Sequence, residues 1–365
     1  VGRAKIMQNI RQAFIDKTSE KIWECLKTLN ETGDYKYLVR AHQLSGIKSD
    51  EIYLQQAELQ CLKKAGNEIV YYGLGKATYN FAKLEEERRG TPGYLNFPFL
   101  GDNLIDFFCD RRYAEYQDGF LNKKVVAPNE IYERKDIVVV VGTPDYFDEI
   151  KEDLVSHGIP TENILKYKWP NTLCYEDRQY FDEFLEPLKE KTVIDGGCYR
   201  CDTIERFITW NEGKGYEKII SFEPDKRNYE ICNNIKNKMK WENVEIINAG
   251  LAKERQVQSF MTNGDDTSMF DDGGDTQTEM ISIDEVAKDS KVSFIKLDVE
   301  GYELETLMGA RETILHNHPR MAISLYHKRE DIWKIPEYIL NLYKDYRFYL
   351  RIYSNAYLEI VLYAL

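Results

Sequence analysis

Apolar residues recur at three- and four-residue steps through the first part of the chain, at Ile10, Phe14, Ile22, Trp23, Leu26 and Leu29, then at Ile52, Leu59 and Leu62. This spacing lines one face of successive amphipathic helices and predicts a helical extension over residues 1–65. No heptad run organises the stripe. The extension therefore packs on its own chain or, as a second reading, pairs with another copy to make a homo-oligomer. At Glu68 the texture changes, and EIVYYGLGKATYNF passes from β-rich residues through a glycine turn into a helical pattern. A second apolar run, 104–109, ends in Asp110, and a third, 137–141, ends in Gly-Thr-Pro ahead of the helical EIKEDLVSHG. Strands alternating with helices make a parallel sheet covered on both faces, so residues 66–168 are expected to form a small α/β domain.

The charged stretch 169–191 is helical in texture and reads as a connection. Beyond it the alternation restarts, with strands expected at 192–195, 218–222, 244–248, 292–298 and 320–326, separated by helical stretches. Two last runs, 347–353 and 357–364, are joined by a turn too short for parallel strands and should pair antiparallel. Residues 192–365 thus read as a mostly parallel sheet closed by a hairpin.

A length of 365 residues favours two domains over one. Asp and Glu outnumber Lys and Arg by 62 to 49, and a net charge of −13 disfavours a nucleic-acid partner. No apolar run is long enough to span a bilayer, so membrane insertion is not expected. The chain begins without a leader-like pattern, and seven irregularly spaced cysteines suggest no disulfide framework, so a reducing, cytoplasmic setting is the expectation.

Chemistry concentrates at the predicted strand ends. The segment TVIDGGCYRCDTIERF puts Asp195 at the end of the first strand of the second sheet, then Gly196 and Gly197, then a helix that Asp202 would cap with Glu205 reaching back. Ligands of open parallel sheets bind at such ends, and Gly197 would let the backbone approach one closely. Next, IISFEP puts Glu223 at a strand tip, where a carboxylate accepts from both hydroxyls of a ribose; the plainer reading is a helix-entry acid ahead of Pro224. In IKLDVEGYELETLMGA, Asp298, Glu300 and Glu303 crowd together, an arrangement that asks for a compensating cation, proton or substrate. His327 ends the fifth strand on the same sheet edge, suited either to base chemistry or to a structural role.

With those segments in hand, the chain resembles the FkbM-type methyltransferases over about residues 193–365, through VIDGG…DT, FEP, INAG, IKLDVEGYELE…GA, ISLYHKREDI and LRIYS…EIVLYA in order. The alternation of strands and helices in both halves reads as two Rossmann-like α/β domains, and the resemblance implies that the C-terminal one is of methyltransferase type. It implies S-adenosylmethionine held by the turn after Asp195 (Gly196, Gly197 and Tyr199), by Glu223 with Pro224 at the ribose, and by Ala249 and Gly250 near the adenine. It also implies O-methylation of a small-molecule or glycan-precursor acceptor. His327 or Asp298 is then the candidate base, Glu300 and Ser268 the candidate substrate contacts, and a divalent metal held by the acids near Asp298 the alternative activator.

One departure is the cysteine at 201, where the family usually has glycine, beside Cys198. Two competing readings follow: a binding module whose altered loop no longer takes the cofactor, and a Cys-x-x-Cys redox pair. The acidic stretch TNGDDTSMFDDGGDT lacks the ligand spacing of a calcium loop and reads either as a mobile loop over the substrate site or as a plain solvated loop. In the first domain, Gly73-Leu-Gly75 followed by Thr78 is half of a dinucleotide fingerprint.

Overall fold

The computed structural model describes residues 2–88, 104–169, 174–187, 192–211, 214–261, 269–270, 276–288 and 290–365. They divide into two compact units, one of residues 1–30, 174–354 and 358–365, the other of residues 31–173 and 355–357. The helices expected as one extension are thereby shared: Gly2–Ala13 and most of Lys17–Thr32 go with the first unit, Lys36–Ser45 and Glu51–Lys64 with the second. No described helix is long and apolar enough to cross a membrane.

The second unit is built on five parallel strands, β1 (Glu68–Tyr72), β2 (Phe107–Cys109), β3 (Val125–Val126), β4 (Ile137–Val141) and β5 (Ile164–Lys166), in the order β3-β2-β1-β4-β5. The interior strand β4 reads IVVVV and is buried along its whole length, as a strand covered on both faces must be. This is the Rossmann strand order. At the β1 turn, the amide of Leu74 donates to Asp110 at 2.6 Å, and Thr78 donates to the Gly73 carbonyl at 3.2 Å. The residues of the half fingerprint therefore bond to one another.

The first unit carries a seven-stranded sheet. Its strands are β6 (Thr192–Gly196), β7 (Lys218–Phe222), β8 (Val244–Ile247), β13 (Val292–Leu297), β14 (Arg320–Ser324), β15 (Phe348–Ile352) and β16 (Ile360–Ala364), in the order β15-β16-β14-β13-β6-β7-β8. β14 to β8 run parallel, while β16 pairs antiparallel with both β14 and β15, the expected hairpin. A second sheet that the hydrophobic pattern did not announce joins β9 (Gly250–Leu251), β10 (Gln256–Met261), β11 (Met269–Phe270) and β12 (Thr276–Ile281) in the order β11-β10-β12-β9. The N-terminal helices cover the β15 edge: the Ile15 amide donates to Phe348 O at 2.9 Å, and the Trp23 indole donates to Ile332 O at 2.8 Å. Ile10, Ile22 and Leu26 are wholly buried within the chain.

The stretch 169–191 corrects the expected helical connection. Among its described residues there is no helix, because tertiary partners claim the backbone. Glu176 N bonds Tyr353 O at 2.8 Å, and Tyr180 N bonds the Tyr363 hydroxyl at 2.9 Å. Tyr180 sits at φ +68° with its ring buried.

Candidate active site

The carboxyl ends of β6, β7, β13 and β14 form one edge, and the flagged side chains stand along it. Asp195 is buried, accepts from Ser221 Oγ at 3.1 Å and pairs with Lys296 Nζ at 3.4 Å. The same ammonium donates to the carbonyls of Gly196 and Gly197 at 3.2 and 2.5 Å. Burial pulls the Lys296 pKa down, but Asp195, Asp298 and Asp202 more than offset it, and the group stays charged. Asp195 and Lys296 therefore fix the glycine turn from within.

Gly196 and Gly197 are required by the chain itself. A Cβ on Gly197, at φ +78°, would lie 1.9 Å from the Asp298 carbonyl oxygen, and one on Gly196 would lie 2.9 Å from Leu251 and Leu297 methyls. Gly197 thus packs closely against the backbone just past β13. Tyr199 and Cys201 follow at φ +47° and +66°. The helix Asp202–Trp210 begins after Cys201 with no side-chain cap, so the expected Asp202–Glu205 capping box is not formed; the left-handed residue at its entry turns the chain away from capping geometry.

Glu223, expected as a helix-entry or ribose-facing acid, is buried, with 5% of its surface exposed. Its Oε1 accepts the Asp225 amide at 2.9 Å, and burial lifts its pKa to about 8. Asn248 donates to the carbonyls of Glu223 and Pro224 at 2.8 and 3.2 Å, and Thr278 donates to Pro224 O at 3.1 Å. These bonds tie the FEP turn to the Ala249–Gly250 entry of β9, where Ala249 is buried.

Asp298, Glu300, Glu303 and His327 converge. Nδ1 of His327 lies 2.9 Å from Glu303 Oε1, while Nε2 lies 3.4 Å from Glu300 and 3.7 Å from Asp298. Burial alone would strip the imidazolium proton, yet the three carboxylates overcome it and raise the His327 pKa to about 10. Its side chain is 2% exposed, whereas that of Asp298 is 23% exposed. Asp298 accepts from the hydroxyls of Tyr180 at 2.8 Å and Tyr326 at 3.0 Å, and burial, which would raise its pKa, is overcome by Lys296 and His327. Glu303 is fully buried, holds the Val299 amide at 2.9 Å and leaves Oε2 without a hydrogen bond. Asp298, Glu303 and His327 each offer one ligand atom within 4.8 Å of the others, a donor set that fits a divalent ion once His327 has lost its proton. Ser268, the other substrate candidate, lies outside the described residues.

Residues 196–355 match the family model described as Methyltransferase FkbM domain. The first unit carries an FkbM methyltransferase domain. Its fold and family are those of the S-adenosylmethionine-dependent methyltransferases. Among solved structures, the methyltransferase FkbM from Methylobacillus flagellatus KT is similar at 17% identity and TM-score 0.49, over 84% of this chain and 93% of that one. An rRNA methylase from Streptococcus thermophilus is similar at 15% and 0.31, over 48% and 86%. Fibrillarin from Aeropyrum pernix, with natively bound S-adenosyl-L-methionine, is similar at 11% and 0.33, over 50% and 70%. No curated protein matches the chain.

Four contributors to the FkbM site were not flagged by sequence. Lys296 left a signal, a lone charge inside the apolar VSFIKL, and Tyr326 directly precedes His327. Tyr180 left none. Asp331, buried at the start of helix Asp331–Leu342 with its pKa pushed up to about 8 by burial and by Glu303, stood in the quoted ISLYHKREDI but was read only as part of the motif.

Proposed function

We propose that the FkbM domain transfers a methyl group to a hydroxyl of a sugar, sugar nucleotide or glycan precursor, in a cytoplasmic setting. The observation that carries this reading is Asp298, an ionised carboxylate held by two tyrosine hydroxyls and a buried imidazolium at the sheet edge that also carries Glu223. Carboxylates beside phenols favour a polar, hydroxyl-bearing acceptor, and the surplus of acids disfavours a polyanionic one.

S-adenosylmethionine, when bound, supplies a methyl group already activated on a sulfonium. Its residue set is consistent with this chain. Glu223 has one oxygen committed to the Asp225 amide, and burial makes its charge depend on partners such as a ribose diol. Gly196, Gly197 and Tyr199 would hold the cofactor's other end; Pro224 would stand with Glu223 at the ribose, and Ala249 and Gly250 would line its base. Asp298 would accept the acceptor's proton, and Glu300 and Ser268 would contact the acceptor. His327 is assigned as the cation that keeps Asp298 and Glu300 ionised, and the family's candidate base role passes to Asp298 because a group with a pKa of about 10 does not take a proton near neutrality.

The test is incubation of the full chain with S-adenosylmethionine and a panel of sugar nucleotides and glycosides, read by mass spectrometry for the methylated product and for S-adenosylhomocysteine. Cofactor binding without turnover on any hydroxyl acceptor would refute the acceptor class. Failure to bind the cofactor at all would favour the binding-module reading. Loss of turnover on chelation would assign the activating role to a metal at Asp298, Glu303 and His327.

A further inference from the structure

A second cluster lies beneath the glycine turn and has no part in the chemistry above. Cys198 and Cys201 sit on the turn, and Cys232 sits on the helix Lys226–Met239 that follows β7. Their sulfurs all lie within 4.8 Å of one another, and Cys198 Sγ is 3.7 Å from Cys232 Sγ. A zinc–thiolate bond of about 2.3 Å with tetrahedral angles spaces two sulfurs about 3.8 Å apart. We infer that Cys198, Cys201 and Cys232 form a buried three-thiolate site for a soft closed-shell cation, zinc or copper(I), which pins the glycine turn to the next helix.

Three observations support it. The donors are all sulfur, a set that selects zinc or copper(I) over magnesium or calcium. All three residues are at most 1% exposed, so an ion held there is shut off from bulk solvent; three thiolates complete a trigonal copper(I) centre, whereas zinc takes one further ligand. Cys201 occupies φ +66°, a conformation that glycine adopts at the least cost, so a thiol stands there against the backbone's own preference. The sulfurs bond within the protein only through thiol donors, which are weak as a class: Cys232 Sγ donates to Tyr199 O at 2.9 Å, and Cys201 Sγ to Cys232 O at 3.7 Å. On binding, the three thiols release three protons to solvent and the ion takes three thiolates, with no change of oxidation state.

The full-length chain, purified under reducing conditions from medium supplied with zinc and copper, should contain one equivalent of one of these ions by elemental mass spectrometry. Cadmium added to the metal-free protein should produce a near-ultraviolet sulfur-to-cadmium charge-transfer band that saturates at one equivalent. Cys201→Gly, whose backbone suits the site, and Cys232→Ser should each abolish that saturation, while circular dichroism of Cys201→Gly stays native. A wild-type protein with neither bound ion nor cadmium band overturns the inference, as does an ion retained by both variants, which would sit elsewhere. A non-reduced mass two hydrogen atoms lighter, with Cys198 linked to Cys232, overturns it in favour of a redox pair.

Discussion

Replacing Glu223 with glutamine tests the cofactor reading most directly, because burial and function pull its carboxyl in opposite directions. Its pKa rises from 4.5 to about 8 in the fold. The sign follows: a raised folded value means the cofactor-free protein is relieved of a charge penalty below about pH 4.5 and carries it in full above about pH 8. At about 1.36 kcal/mol per unit, the penalty is at most roughly 5 kcal/mol. Glu223→Gln lacks it, so in urea titrations without cofactor the wild type should lose stability relative to the variant between pH 5 and 8.5. Cofactor affinity should favour the wild type instead. Two ribose hydroxyls that donate to a carboxylate contribute about 1.5–3 kcal/mol each, against about 0.5–1.5 for neutral bonds, so the variant should lose roughly 2 kcal/mol, about thirtyfold in Kd. Because the bound form is ionised, wild-type binding near pH 7 should release close to one proton, measurable by calorimetry in two buffers of different ionisation enthalpy. An unchanged Kd in the variant, with no proton released by the wild type, would refute the assignment of Glu223 to the ribose.

Further expectations concern the supporting residues. The raised pKa of His327 makes its ion pairs fully stabilising below about pH 6.5 and lost as pH climbs through about 10, so the wild-type margin over His327→Gln in chemical unfolding should shrink steadily across that window. If Asp298 takes the proton, the transfer rate should be flat from pH 6 to 8; a rate rising with a midpoint near 6.5 would return the base role to His327. Lys296→Met strands the buried Asp195 carboxylate and should cost about 3–5 kcal/mol in urea unfolding, with much of it recovered in the Lys296→Met/Asp195→Asn double variant. Gly197→Ala drives a Cβ into the Asp298 carbonyl and should prevent accumulation of soluble folded protein, which size-exclusion chromatography and circular dichroism would report.

What could be read from the sequence was what local periodicity and strand-end chemistry encode. The FkbM sheet follows from apolar runs such as KIISF, buried in four of its five positions, and the closing hairpin follows from a turn too short for a crossover. Local pattern failed where distant partners decide. The segment around Tyr180 has a charged, helix-like composition, but its backbone is claimed by Tyr353 and Tyr363, and the reward is a hydroxyl delivered to Asp298. The strands of the second sheet carry little hydrophobic signal because TQTEMI is short and mostly polar and lies beside an acidic stretch of sequence that dominates the composition. At the site, sequence named the acids but not their counterions, since charge balance in a buried cluster depends on which groups the fold brings within about 4 Å of one another. His327 shows the consequence. Alone at a strand end it is the natural base, but beside Glu303, Glu300 and Asp298 it is a held cation. The same three-dimensional closure brings Cys232 to Cys198 and Cys201, so a spacing that read as a pair becomes a trio only when the helix after β7 folds back over the turn.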